Sequence, residues 1–154
     1  MATFPDDIEK YSTSALFAIR AIAQRINDYA NEWLEPLGLS ASQYNHLVNL
    51  RFFQNGSARL NELATHTHTT NASVTVMISG LEAAGLVKRE RDATDGRSVL
   101  VKLTPKGRAL TERAIRLHHR NINGGMKSLS MTERRELLAL LTKVADGFEK
   151  HVEG

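Results

Sequence analysis

The spacing of apolar residues changes period once in this chain, and that change constrains the fold more than any other feature. From Asn71 to Ala84 the apolar positions Val74, Met77, Ile78 and Leu81 recur at steps of three and four, the stripe of a helix, with Gly85 placed to cap it. From Ser98 to Leu103 the pattern alternates, with Val99, Val101 and Leu103 on one face and Ser98, Leu100 and Lys102 on the other. Val87 to Arg91 supplies a partner strand, and Asp95-Gly96 is a hairpin turn signal. Ahead of the helix, across a polar Thr/His turn, a short helix near Arg59 to His66 turns Leu60, Leu63 and Ala64 inward. Two short helices joined by a tight turn and followed by a basic hairpin spell a helix-turn-helix with a wing.

Helices flank this unit on both sides. Residues 8–37 read as one long helix whose stripe is Ile8, Tyr11, Ala15, Ile19, Ile22, Ile26, Tyr29 and Trp33, with Leu16, Ala23, Ala30 and Leu37 beside it. So wide an apolar face needs more partner surface than one subunit offers. Pro36 and Gly38 end the helix. Ser40 with Gln43 is a capping box and Leu39 with Tyr44 a hydrophobic staple. They predict a helix from Ala41 to Phe53 that buries Tyr44, Leu47, Val48 and Leu50 and is broken by Asn55-Gly56-Ser57. Thr104-Pro105 opens a helix carrying Leu110, Ala114 and Leu117 that fades near Asn121 to Gly125. Ser130 and Glu133 form a second capping box, before Leu137, Leu138, Leu140, Leu141, Val144 and Phe148.

The chain has 154 residues, 42% hydrophobic and 24% charged, which fits a globular protein of one domain or two small lobes. It has no cysteine, so disulfides and thiolate metal sites are excluded. No apolar run approaches the roughly 18 residues that span a bilayer, and Phe4, Pro5, Asp6 and Asp7 do not suit a secretory start. A cytoplasmic location and no membrane contact are therefore expected. The net charge of +3 is unevenly spread: residues 1–50 carry three Lys or Arg against six acids, residues 88–113 eight against four. A basic patch in the middle of the chain suits a polyanion.

Four segments, in order, resemble the MarR (multiple antibiotic resistance regulator) family. They are Leu39-Ser-Ala-Ser-Gln-Tyr44, Leu60-Asn-Glu-Leu-Ala64, the run from Val74 to Val87, and Arg89-Glu-Arg-Asp-Ala-Thr-Asp-Gly-Arg-Ser-Val-Leu-Val-Lys-Leu-Thr-Pro-Lys-Gly107. The resemblance implies a mainly α fold with a small β-hairpin wing. Residues 39–103 would form the winged helix-turn-helix DNA-binding domain, and 1–38 with 104–154 the helical dimerisation region. It further implies a homodimeric transcriptional regulator, a repressor rather than an enzyme, which needs no cofactor and reads a pseudo-palindromic duplex with half-sites about one helical turn apart.

Residue by residue, Thr70, Asn71, Ser73 and Thr75 lie at the N-terminal end of the reading helix, where side chains reach bases and amides reach phosphates. Family members often carry Arg or Lys where Val76 and Gly80 stand here, so the guanine-reading arginine is missing. The wing compensates: Arg97, oriented by Asp95, matches the family's minor-groove arginine, and Lys88, Arg89 and Arg91 are phosphate contacts on the wing strand. Arg51 and Arg59 are weaker phosphate candidates. Tyr11, Arg20, Trp33, Tyr44 and His46 are the residues expected to form a pocket for a small aromatic acid, in the region where the family binds effectors. Two other readings compete. Glu62, His66 and His68 offer ligands for a metal-dependent enzyme, and the missing arginine suits an architectural protein without sequence preference.

Overall fold

The computed structural model describes residues 7–53, 56–91 and 99–152, so the hairpin tip with Asp95, Gly96 and Arg97 lies outside the described residues. The chain divides into two compact units, one up to Leu117 and one from His118.

Helix α1 covers Asp7–Leu34, and Glu35–Leu37 follow as one 3-10 turn. The long helix predicted to residue 37 thus stops three residues early. Pro36 has no N–H to donate to the preceding turn, and Gly38, at φ 67°, closes the end by donating from its N–H to the Glu35 carbonyl at 2.8 Å. The capping box of helix α2 (Ala41–Phe52) is present in full, Gln43 N–H donating to Ser40 Oγ at 3.1 Å and Ser40 N–H to Gln43 Oε1 at 2.8 Å. The Ala41 N–H donates to Asn31 Oδ1 at 2.8 Å and ties α2 to α1. Val48, predicted to be core, is only half-buried.

A strand absent from the sequence reading follows. β1 (Ser57–Arg59) leads into α3 (Leu60–His66) and then α4 (Asn71–Ala83). Strand β2 (Val87–Arg91) has the predicted bounds, and β3 (Val99–Leu103) ends where predicted, Ser98 lying outside the described residues. All three make one antiparallel sheet in the order β1-β3-β2, with Ala58 opposite Val101 and Val87 opposite Leu103. Three residues with one apolar side chain have no readable period, and so β1 is invisible to periodicity. Val99 also departs from expectation. Val101 and Leu103 are buried, but Val99 is exposed, because β1 covers β3 only from Leu100 to Lys102.

The core of this unit is shared by Leu34, Leu47, Leu50, Leu63, Ile78, Leu81 and Val101, all fully buried. On the sheet, Lys88 and Lys102 stand opposite each other, a repulsive pairing. Glu90 resolves it by bridging Lys88 at 2.5 Å and Lys102 at 2.7 Å, and its carboxyl is lowered to about 2 by their hydrogen bonds and charge. A depressed carboxylate stabilises the fold above its ordinary pKa, and the gain is lost as pH falls toward the folded value. The stability difference between the wild type and Glu90→Gln should therefore shrink from pH 4.5 to about 2. Urea melts in pH steps check this, and a constant difference down to pH 2.5 would contradict it.

Helix α5 (Pro105–Gly125) starts where α4 ends. The Gly107 N–H donates to Thr104 Oγ1 at 3.0 Å, the Thr104 hydroxyl donates to the Gly85 carbonyl at 2.8 Å, and Lys106 Nζ donates to the Ala84 carbonyl at 2.8 Å. The Leu86 carbonyl lies directly over Gly107, where a Cβ would come within 1.8 Å of its oxygen.

In the second unit, the end of α5 turns into α6 (Met131–Val152). The Ser130 N–H donates to Glu133 Oε2 at 2.7 Å, and Arg134 donates to the carbonyls of Leu129 (3.1 Å) and Met126 (2.6 Å), fixing the turn. Along α6, Leu137, Leu138, Leu140, Leu141, Val144 and Phe148 are exposed, as are Tyr11, Phe17, Ile22, Ile26 and Tyr29 on α1 in the first unit.

Candidate nucleic-acid interface

Helix α4 is anchored on one side and bare on the other. Val74, Ile78 and Leu81 are fully buried, while Asn71, Ala72, Ser73, Thr75, Val76, Ser79 and Gly80 are all exposed. Thr70 is its N-cap, accepting from the Ser73 N–H at 3.2 Å and lying 2.9 Å from the Ser73 hydroxyl. The hydroxyls along the helix are mostly engaged at home: Thr75 donates to the Asn71 carbonyl at 2.7 Å and Ser79 to the Thr75 carbonyl at 2.8 Å. The amide of Asn71 has no such partner among the described residues.

Of the four predicted residues on this helix, Asn71 and Thr75 share a groove of about 430 Å³ with Arg59, Leu60, Asn61 and Val99. It brings the start of α3, the reading helix and the first residue of β3 to one surface. Arg59 is one of the weaker phosphate candidates of the sequence, whereas Asn61 is not among the candidates, because one more polar residue on a short helix carries no signal of its own.

Arg89 does not extend outward as a bare cation. Its backbone N–H donates to Glu82 Oε1 at 3.1 Å and its Nη1 to Glu82 Oε2, while Nη2 donates to Ser79 Oγ at 3.0 Å and to the Thr75 carbonyl at 3.4 Å. The root of the wing is thereby fastened across the reading helix. Glu82 and Ser79 were missed because their role depends on a strand crossing the helix, which a linear sequence does not display. Lys88 is held by Glu90, and Arg91, the last residue of β2, is exposed. Arg51 is set on α2 and pairs with Glu112 of α5 at 2.5 Å, which holds the Glu112 carboxyl below its usual range. Asp95 and Arg97 lie outside the described residues.

The five residues expected to line an effector pocket are not gathered within one chain. Trp33 and Tyr44 pack edge to face at 5.6 Å, and burial pushes the Tyr44 phenol up to about 12. Tyr11, however, is exposed and sits 22 residues before Trp33 on the same helix, about 33 Å away at about 1.5 Å per residue. Arg20 lines a separate groove with Thr13, Leu16, Phe17 and Ile19. His46 is buried, with Nδ1 at 2.8 Å from the Ser42 carbonyl.

Of the proposed metal ligands, Glu62 and His66 lie one turn apart on α3, and His68 follows its end. Among the described residues no three His, Asp or Glu side chains gather at one point. Glu62 accepts from the Arg59 N–H at 2.7 Å, and the His66 ring stacks edgewise on Phe53 at 4.6 Å.

A helix presented on a three-helix core beside a stranded wing defines a winged helix-turn-helix protein. Residues 39–99 match the model of the MarR family. Among relatives, the HTH-type transcriptional regulator TtmR of Methylorubrum extorquens is 31% identical over 92% of this chain and 70% of its own length. The HTH-type transcriptional repressor YetL of Bacillus subtilis is 25% identical over 94% of this chain and 84% of its own. A crystal structure of a mutant MarR from E. coli complexed with operator DNA is 28% identical, covers 90% of this chain and 99% of that one, and superposes with a TM-score of 0.80. AbsC from Streptomyces coelicolor, at 23% identity and a TM-score of 0.83 over 97% of this chain and 99% of its own, shares the fold. The chain belongs to the MarR family. No helix among the described residues is long and apolar enough to cross a membrane.

Proposed function

We propose that this protein is a cytoplasmic transcriptional repressor without catalytic activity, which binds a pseudo-palindromic operator as a homodimer. The observation that carries the reading is α4 itself, a helix of 13 residues whose core face is sealed by Val74, Ile78 and Leu81 while Asn71, Ala72, Ser73, Thr75, Val76, Ser79 and Gly80 stand exposed. Thr70, Asn71, Ser73 and Thr75 sit at the end that enters the major groove, where free amides and the helix dipole favour phosphate. Arg59 lies beside them. Arg91 and, with Asp95 at its side, Arg97 serve the backbone and the minor groove, and Arg89 sets the angle of the wing through Glu82. Residues 39–103 are the DNA-binding domain. Residues 1–38 and 104–154 bury their apolar stripes in the dimer, which sets the spacing of the two reading helices. A small aromatic effector would use Tyr11, Arg20, Trp33, Tyr44 and His46 together only across that dimer.

The wing assignment has its own test. Arg97→Ala should weaken DNA binding by about 1–3 kcal/mol and make log K less steep in log salt by about one ion per subunit. Fluorescence anisotropy against a labelled promoter fragment at several salt concentrations reads both. Unchanged affinity and slope would remove Arg97 from the interface.

A further inference from the structure

The exposed face of α4 is apolar where a reading helix is most useful. Ala72, Val76, Gly80 and Ala83 follow one another at steps of four, four and three, so they line a single face. Val76 is 74% exposed, an unusual setting for a β-branched residue on a helix, and nothing in the core uses it. A Cβ at Gly80 would meet nothing within 4 Å, so packing does not demand the missing side chain. The polar neighbours have little left to offer a base. The hydroxyls of Thr75 and Ser79 both donate to backbone carbonyls, and Ser79 also accepts from Arg89. What Thr75 can present is its methyl group and an oxygen that accepts but has no proton left to give. Asn71 remains, its amide with no hydrogen-bond partner among the described residues.

These are the chemistries of one kind of base pair. Guanine is read by a cation on its O6 and N7, and α4 carries no Lys or Arg from Asn71 to Ala83. Adenine is read by an amide, and thymine is distinguished in the major groove by its 5-methyl group, which takes an apolar contact. We propose that α4 selects A·T pairs, Val76 packing on a thymine methyl in each half-site. The inference rests on the DNA-binding reading above and specifies what that surface recognises. A near-smooth face of Ala, Val and Gly also lets the helix backbone approach the base edges closely.

The test begins with the full chain and a pool of duplexes carrying about 24 random base pairs, enough for two half-sites a helical turn apart. Each thymine of the enriched site is then replaced by uracil, which deletes only the methyl group. One thymine per half-site should cost the wild type about fourfold in affinity when replaced, and about fifteenfold when both half-sites are changed. Val76→Ala should bind the thymine and uracil sites nearly equally. Val76→Arg should shift enrichment at that step toward guanine. Because Val76 is exposed, both variants should melt with the wild type. If a site is enriched but uracil costs nothing anywhere, or Val76→Ala stays as sensitive as the wild type, the thymine contact is wrong and the DNA-binding reading survives. If no sequence is enriched at all, both fall.

Discussion

Gly107→Ala should destabilise the protein by about 3 kcal/mol or more, and lower its melting temperature by about 10 °C. A methyl group at this position would lie 1.8 Å from the Leu86 carbonyl oxygen and 2.8 Å from its carbon. Both are backbone atoms that cannot rotate away. The Leu86 carbonyl also accepts from the Thr104 N–H at 3.0 Å, so moving it breaks the clasp between the reading helix and α5. Gly80→Ala is the matched control: it adds the same methyl to open space and replaces glycine in a helix interior, so it should be neutral or slightly stabilising. Thermal melts of the two variants beside the wild type decide the matter. Equal melting of Gly107→Ala and the wild type would mean that α5 does not press on the end of α4.

Ile22→Asp combined with Ile26→Asp should leave each subunit folded but raise the dimer dissociation constant by at least about a hundredfold. Ile22 is 56% and Ile26 51% exposed in the isolated chain, each about one turn from the next, with Tyr29 continuing the stripe. Within one chain, these isoleucines contribute little to the core, so the substitution spares the fold. In a dimer they would be covered, and burying an unpaired carboxylate costs several kcal/mol, each 1.4 kcal/mol being about tenfold in affinity. Analytical ultracentrifugation over a dilution series, with circular dichroism for folding, separates the two effects. A dimer of unchanged affinity would place the interface elsewhere.

Much of this arrangement is legible in the sequence because periodicity reports burial. The stripe Val74, Ile78 and Leu81 gave α4, the alternation around Val101 gave the hairpin, and both capping boxes lie where Ser40 and Ser130 signalled them. What is illegible depends on partners distant in the chain. β1 exists because Ala58 finds Val101, 43 positions later, and three residues cannot announce that. Arg89 reads as a surface cation until Glu82, Ser79 and the Thr75 carbonyl come to it through the fold. The effector residues depend on a partner of another kind, a second subunit, which one chain's sequence does not display. Tyr11, Arg20, Trp33, Tyr44 and His46 share a chemistry suited to an aromatic acid, but Tyr11 stands 22 residues before Trp33 on α1, so within one chain they do not meet. The bareness of α4 combines both cases: its missing arginines were plain in the sequence, but that Val76 faces outward while Thr75 and Ser79 are engaged needed the structure.

Sequence-selective DNA binding is the claim on which the rest depends. It is tested most directly by titrating a labelled fragment from upstream of the protein's own gene with the full chain, against random-sequence competitor at physiological salt. The account predicts that the fragment is bound at least about a thousandfold more tightly than the competitor, as a complex of two chains. Equal affinity for both DNAs, or binding to neither, would contradict it.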